Sequence, residues 1–219
     1  VMEDGVADCK QYDGHELAIL PGAHDDSRNC VARILTHDYA PQPFDIAFAR
    51  TQFSSETFYR LQRSKMAAWQ DVAANGYPES AVHRTVRECR IQQRSLKGHI
   101  QRCIPEGTLS PGNNPPCFEL SFAVTKGLSG APVFVHRGDH DQLIGVAVGS
   151  TTSQVVAYEH SEYVDEGKQL SERTLRVEEY GIAHDMGPLL DWQPSCADGK
   201  SLIELSEEYW TQREDGRER

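Results

Sequence analysis

The stretch Thr125-Lys126-Gly127-Leu128-Ser129-Gly130-Ala131-Pro132-Val133-Phe134 holds a serine flanked by two glycines, with an apolar strand directly behind it. A glycine ahead of the serine lets the backbone turn so that two N–H groups point at one spot. A glycine behind it lets a substrate carbonyl come close, and residues without a Cβ do both cheaply. Converging amides beside a hydroxyl are the parts of an oxyanion hole with its nucleophile, the chemistry of acyl transfer. The other common serine motif, G-x-S-x-G, is not matched. Position 131 is Ala, and Pro132-Val133-Phe134-Val135 reads as a strand where that motif requires a helix. The same residues also suit a plain Gly-Ser-Gly hairpin turn between strands.

A second candidate for chemistry is Asp45. It opens the otherwise apolar run Phe44-Asp45-Ile46-Ala47-Phe48-Ala49-Arg50, which reads as a strand. A buried carboxylate is costly unless it is paired or hydrogen-bonded. Asp45 therefore either serves a buried partner or caps a turn at the strand edge.

Gly127-Leu128-Ser129-Gly130-Ala131-Pro132-Val133 resembles the G-x-S-G-x-P-V signature of the trypsin/chymotrypsin-like serine proteases. The resemblance implies that Ser129 is the nucleophile and that the amides of Gly127 and Ser129 form the oxyanion hole. It implies that Asp45, at a D-I-A type strand start, orients the catalytic imidazole and stabilises its cation. Gly76-Tyr77-Pro78 resembles the segment that opens the family's second barrel. Val146-Ala147-Val148-Gly149 resembles the strand that lies beside bound peptide, which makes Ala147, Val148 and Gly149 substrate-binding by backbone pairing. Ala123 stands where the family places the base of its primary pocket. No acidic residue occurs in residues 123–126, so a small or apolar substrate side chain is expected rather than Arg or Lys. Leu128 replaces the aspartate that precedes the serine in secreted digestive members, a pattern closer to the bacterial and organellar branches. Such enzymes need no cofactor and act on a protein or peptide substrate.

The triad also needs an imidazole, and the family's Ala-His motif is absent. The nine histidines are His15, His24, His37, His83, His99, His136, His140, His160 and His184. The expectation is that the chain starts just after the catalytic histidine. That residue would then come from a missing N-terminal segment or a second polypeptide. Two alternatives stand beside it: His15 serves, or the chain is a trypsin-like pseudo-protease that binds peptide or protein without hydrolysis.

The elements that must position these residues read as strands. Candidates are residues 17–20, 30–35, 44–50, 58–61, 83–94, 99–102, 118–122, 132–135 and 143–149, with a helical turn over 64–72 and a helix over 202–210. The fold class expected is all-β. The resemblance makes it a double antiparallel β-barrel whose first barrel is incomplete, with a short C-terminal helix and a charged tail. Residues 1–74 are the remainder of the first barrel, 75–193 the second barrel with a closing helix, and 194–219 the tail. Residues 151–176 form a long polar excursion. It reads as a solvated hairpin, or as one that frames the specificity pocket or docks a partner.

The 219 residues carry a net charge of −11, which argues against a nucleic-acid partner. No apolar run is long enough for a membrane helix, and no signal peptide is visible. The six cysteines include no C-x-x-C pair, so a zinc site is not expected. A reducing, cytoplasmic setting is favoured over secretion, and Cys103 and Cys117 are the disulfide candidates if the chain is oxidised. His136-Arg137-Gly138-Asp139-His140-Asp141 reads as a polar hairpin turn rather than a metal site.

Overall fold

The computed structural model describes residues 18–19, 32–51, 58–84, 89–109, 113–165 and 168–217. Near the N-terminus, β1 (Ala18–Ile19), β2 (Ala32–Tyr39) and β3 (Ala47–Thr51) form an antiparallel sheet in the order β1-β2-β3. The strand expected from residue 44 begins at Ala47 instead. Residues 41–46 are closed as a turn by Phe44 N–H to Pro41 O (3.1 Å) and Ala40 N–H to Ile46 O (2.9 Å). Asp45 therefore sits on an exposed turn, and the burial that its position suggested is not what the fold provides.

β4 (Arg60–Leu61) is followed by a tight turn, Gln70 N–H to Ala67 O at 3.3 Å, where a helical turn was expected. Next come β5 (Asp71–Gly76), the small hairpin of β6 (Val82–Arg84) and β7 (Cys89–Ile91), then β8 (Arg94–Ile104) and β9 (Cys117–Leu120). β10 (Pro132–His136), β11 (Asp141–Asp165) and β12 (Lys168–Asp185) follow. Six of these strands pair antiparallel in a closed ring, β5-β8-β9-β12-β11-β10 and back to β5. β4 adds to β11 in parallel at Gln142 and Leu143.

The ring closes because its strands alternate. Val72 and Ala74 on β5, Phe118 and Leu120 on β9, and Val133 and Val135 on β10 are all buried in one cluster. Residues two apart share a face, so each strand sends one side of its pleat inward. β9 is buried on both faces. Its outer residue Cys117 packs with Ile104 and Ile182.

A second cluster joins the N-terminal sheet to the outside of the ring. Phe44, Ile46 and Phe48 pack there against Val146, Met186 and Leu202. The expected closing helix is only a 3-10 turn, Gly187–Leu189, with Pro at its start. The C-terminal helix α1 (Leu202–Arg217) extends past the stretch expected, and Leu202, Ile203 and Trp210 are buried. Its start is fixed by Ser201 and Glu204: the Ser201 N–H and hydroxyl both donate to the Glu204 carboxylate (2.7 and 2.9 Å).

β11 and β12 continue together well past the ring as a two-stranded ribbon, pairing from Gly145↔Asp185 out to Asp165↔Lys168. The long polar excursion is this hairpin. Cys103, Cys117 and Cys196 are free thiols. Cys103 lies opposite Phe118 and Cys117 opposite Ile104. The two cysteines therefore point to opposite faces of adjacent strands, and no bridge joins them.

Candidate functional site

Ser129 lies on the turn between β9 and β10. Leu128 is buried in the ring core, 3% exposed, and anchors the turn from below. Leu128 N–H donates to Thr125 O (3.0 Å) and Ala131 N–H to Leu128 O (2.9 Å). Gly130 N–H donates to Ala147 O at 2.7 Å, and Ala147 N–H donates back to Ala131 O at 2.9 Å, which ties the turn to β11. Lys126 O accepts from Glu79 N–H at 2.9 Å, which ties it to the segment after β5.

Gly127 has φ +90°, the region that favours glycine. A Cβ there would lie 2.7 Å from Tyr77 O and 2.8 Å from Glu79 N, both backbone atoms. The Gly76-Tyr77-Pro78 segment thus packs directly behind the serine turn. The Leu128 amide is satisfied within the turn, whereas the amides on either side of it, Gly127 N–H and Ser129 N–H, meet no acceptor among the described residues. Two free donors flank a bonded one, beside an exposed hydroxyl.

The Ser129 hydroxyl donates to Val148 O at 3.2 Å. That carbonyl is displaced from the β12 ladder, because the β11–β12 register shifts between Ala147 and Gly149. Val148 and Gly149 therefore border the serine, while the Ala147 side chain is 1% exposed in the ring core. Ser150 Oγ accepts from Val124 N–H (2.8 Å) and donates to Val124 O (3.1 Å). This draws the half-buried Ala123 and its neighbour against β11. Gly127, Ser129, Ala123, Val148 and Gly149 thus form one end of the ring.

Asp45 is not joined to this group by any hydrogen bond or ion pair among the described residues. Its electrostatic partner is His184 on β12. His184 is buried, with Phe44 edge-on to its ring at 6.0 Å between centroids. Burial pushes the His184 imidazole below its ordinary value, and the Asp45 carboxylate only partly opposes this. Its Nδ1 is buried without a partner among the described residues. The one local signal of His184 in the sequence is a polar side chain directly after the apolar run from Gly181 to Ala183.

None of the described histidines bonds to Ser129. His136 pairs with Asp141 (2.9 Å) and His140 with Asp139 (2.8 Å), within the hairpin turn expected there. His99 stacks on Trp69, and His160 lies beside Tyr158. His15 and His24 lie outside the described residues. No group of three or more His, Cys, Asp or Glu is placed to hold a metal ion among the described residues.

A cavity of about 660 Å³ lies away from the serine turn. Met66, Cys103, Cys117, Asp185 and Leu190 line part of it. Burial pushes the Asp185 carboxyl up, and the Gly187 N–H bonded to it at 2.8 Å pulls the other way. No residue of the serine turn reaches this cavity. Comparison of the chain with protein-family models, with curated proteins and with solved structures found no match.

Proposed function

We propose that this chain is a serine endopeptidase of the trypsin-like kind, with Ser129 as nucleophile and the Gly127 and Ser129 amides as oxyanion hole. The observation that carries the reading is the pair of unbonded amides beside the exposed Ser129 hydroxyl on a turn braced from three sides. The closed six-stranded ring supports it as the second of two barrels, and the sheet β1-β2-β3 as part of the first.

The reaction follows from these parts. An extended peptide lies beside Val148 and Gly149. Ser129 Oγ attacks the scissile carbonyl, and its proton passes to an imidazole supplied from outside the described residues or by a second polypeptide. The carbonyl π electrons move onto oxygen, where the two amides receive the charge. Collapse expels the amine, which takes the proton, and leaves an ester on Ser129. Water then repeats the sequence and frees the acid. Asp45 orients the imidazole. A small or apolar side chain enters beside Ala123.

The test is labelling with a fluorophosphonate probe together with cleavage of a peptide library. The complete enzyme, with the polypeptide that brings the imidazole present, should label on Ser129 and cleave after small or apolar residues, and Ser129→Ala should abolish both. Preference for Arg over Leu would overturn the pocket reading. Persistent cleavage by Ser129→Ala would overturn the nucleophile.

A second reading is a peptide-binding module without hydrolysis. The Ser129 hydroxyl bonded to Val148 O rather than to an imidazole favours it. Peptide binding with neither labelling nor cleavage would select it.

A further inference from the structure

Beyond the ring, β11 has β12 on one side and an open edge on the other. Its pairing with β10 ends at Val146, and the last backbone bond from the serine turn is to Ala147. From Gly149 to Val156 it runs in unbroken register with β12, and no other described strand pairs with it there. An unpaired edge exposes a row of N–H and C=O groups, and proteins ordinarily guard such edges with charge, proline or a short strand. Residues 149–156 carry no charge and no proline. The opposite edge of the ribbon is guarded: Arg176, Glu178 and Glu179 lie on the facing stretch of β12. The asymmetry singles out β11 as the edge meant to be paired.

The side chains beside that edge agree. Val156 stands across from Leu175, with Val177 diagonal to it on the same face. Val155 lies on the other face. All four are about half exposed or more, 46–60%. They cover no core, and they suit a strand with β-branched side chains at alternating positions. Further out, exposed Glu159 and Glu162 on β11 and Glu172 on β12 outnumber Arg173, which pairs with Glu159 at 2.8 Å.

We propose that the open edge of β11 is a docking track that receives an extended polypeptide strand and leads it to Ser129. The inference rests on the function proposed above, since the track begins at Val148 and Gly149 beside the serine. The strand docks antiparallel to β11, so its C-terminal end points towards Ser129 and its N-terminal end reaches the acidic tip. The substrate class is thus a protein with an uncharged, β-branched extended segment, preceded by basic residues, on the N-terminal side of the cleaved bond. Backbone bonds supply affinity along the track, and the alternating side chains supply selectivity.

The probe is a fluorescein-labelled fourteen-residue peptide, Lys-Lys-Thr-Val-Thr-Val-Thr-Val-Thr-Val-Thr-Val-Ala-Ala, titrated against the full chain carrying Ser129→Ala so that nothing is consumed. Fluorescence anisotropy should show saturable binding. The same peptide with Pro at every second Thr/Val position should bind at least tenfold more weakly, because Pro cannot donate to a ladder. Replacing residues 153–178 by an Asn-Gly turn should weaken binding at least tenfold. The double variant Val156→Ser, Val177→Ser, confined to exposed positions, should weaken it severalfold even if the trimmed chain fails to fold. Equal affinity for the Pro peptide, or unchanged binding by the double variant, overturns the track. Sedimentation showing a dimer that the double variant dissociates, with no peptide binding, overturns it in favour of a second copy. Labelling of wild-type Ser129 is read separately. A chain that labels but ignores the ribbon keeps the proposed function and loses the track, and one that binds through the ribbon without labelling does the reverse.

Discussion

β11 and β12 pass through two environments, and the contrast between them organises the molecule. Inside the ring, Ile144, Ala147 and Ala183 are almost fully buried, and neighbours on the outer face are covered by the N-terminal sheet and by α1. On the ribbon, Val155, Val156, Leu175 and Val177 have the same apolar chemistry and the same backbone pairing but stand in the open. Hydrogen-bonded pairing is therefore not what separates the two regions. The difference is whether a third surface covers the pleat. A two-stranded ribbon has little stability of its own, so the ring must hold the ribbon by its base. The serine turn sits at the junction, fastened to the last ring residues of β11.

The sharpest test of this contrast replaces one apolar residue in each region. Leu120 is fully buried in the ring, and Val177 is 60% exposed on the ribbon. Leu120→Ala should cost about 2–5 kcal/mol, the transfer free energy plus an unfilled cavity. Val177→Ala should change stability by no more than about 0.5 kcal/mol. Urea unfolding of both variants reads the difference. A large loss from Val177→Ala would mean that the ribbon is covered and belongs to the core.

Glycines on one strand give a finer version. A Cβ on Gly145 would meet the His184 carbonyl at 2.8 Å, whereas one on Gly149 would meet nothing within 4 Å. Gly145→Ala should destabilise by about 1–3 kcal/mol, because a backbone atom must move. Gly149→Ala should be neutral or stabilise by a few tenths of a kcal/mol through the unfolded chain. Thermal unfolding of the two variants decides. Equal losses would place the end of the ring beyond Gly149.

The ring and the serine turn were legible because their signals are local. Phe118 and Leu120, and Val133 and Val135, alternate within their own strands, whereas β5 was missed: Val72 ends the helical turn expected over 64–72, and the Ala73, Ala74, Asn75 and Gly76 that follow are weak strand formers. Gly127 needs its backbone freedom within the turn that it makes. Phe44 and the apolar run Ile46-Ala47-Phe48-Ala49 on either side of Asp45 predict a strand that includes it. The bond from Ala40 N–H to Ile46 O that holds those first residues in a turn leaves no mark on that pattern. His184 was passed over for a related reason. Its burial comes from Phe44 docking across the ring, more than a hundred residues away in the chain. The ribbon lacked a clear strand signal because neither of its faces is buried, so nothing selected for strict alternation.

His184 yields the smallest of these effects and the one that probes where ring and N-terminal sheet meet. Its imidazole is held below the ordinary value of 6.5, first by burial, with Asp45 opposing. The unfolded chain therefore binds a proton more readily than the folded one, and stability rises with pH across the interval between the two values. The contribution is complete above about pH 6.5 and is lost as pH falls through the folded value. Its slope cannot exceed about 1.4 kcal/mol per pH unit for one proton. Asp185 next door has the opposite sign: burial raises its carboxyl, so its contribution is lost as pH rises through its folded value. The comparison must therefore be a difference. Urea unfolding of wild type and His184→Leu between pH 7 and pH 5 should show the wild type losing stability more steeply as pH falls. Adding Asp45→Asn to the wild type should steepen the loss further, because the Asp45 charge that helps the imidazolium is removed. Parallel curves for wild type and His184→Leu would mean that water reaches His184 and that the sheet is not closed over the ring.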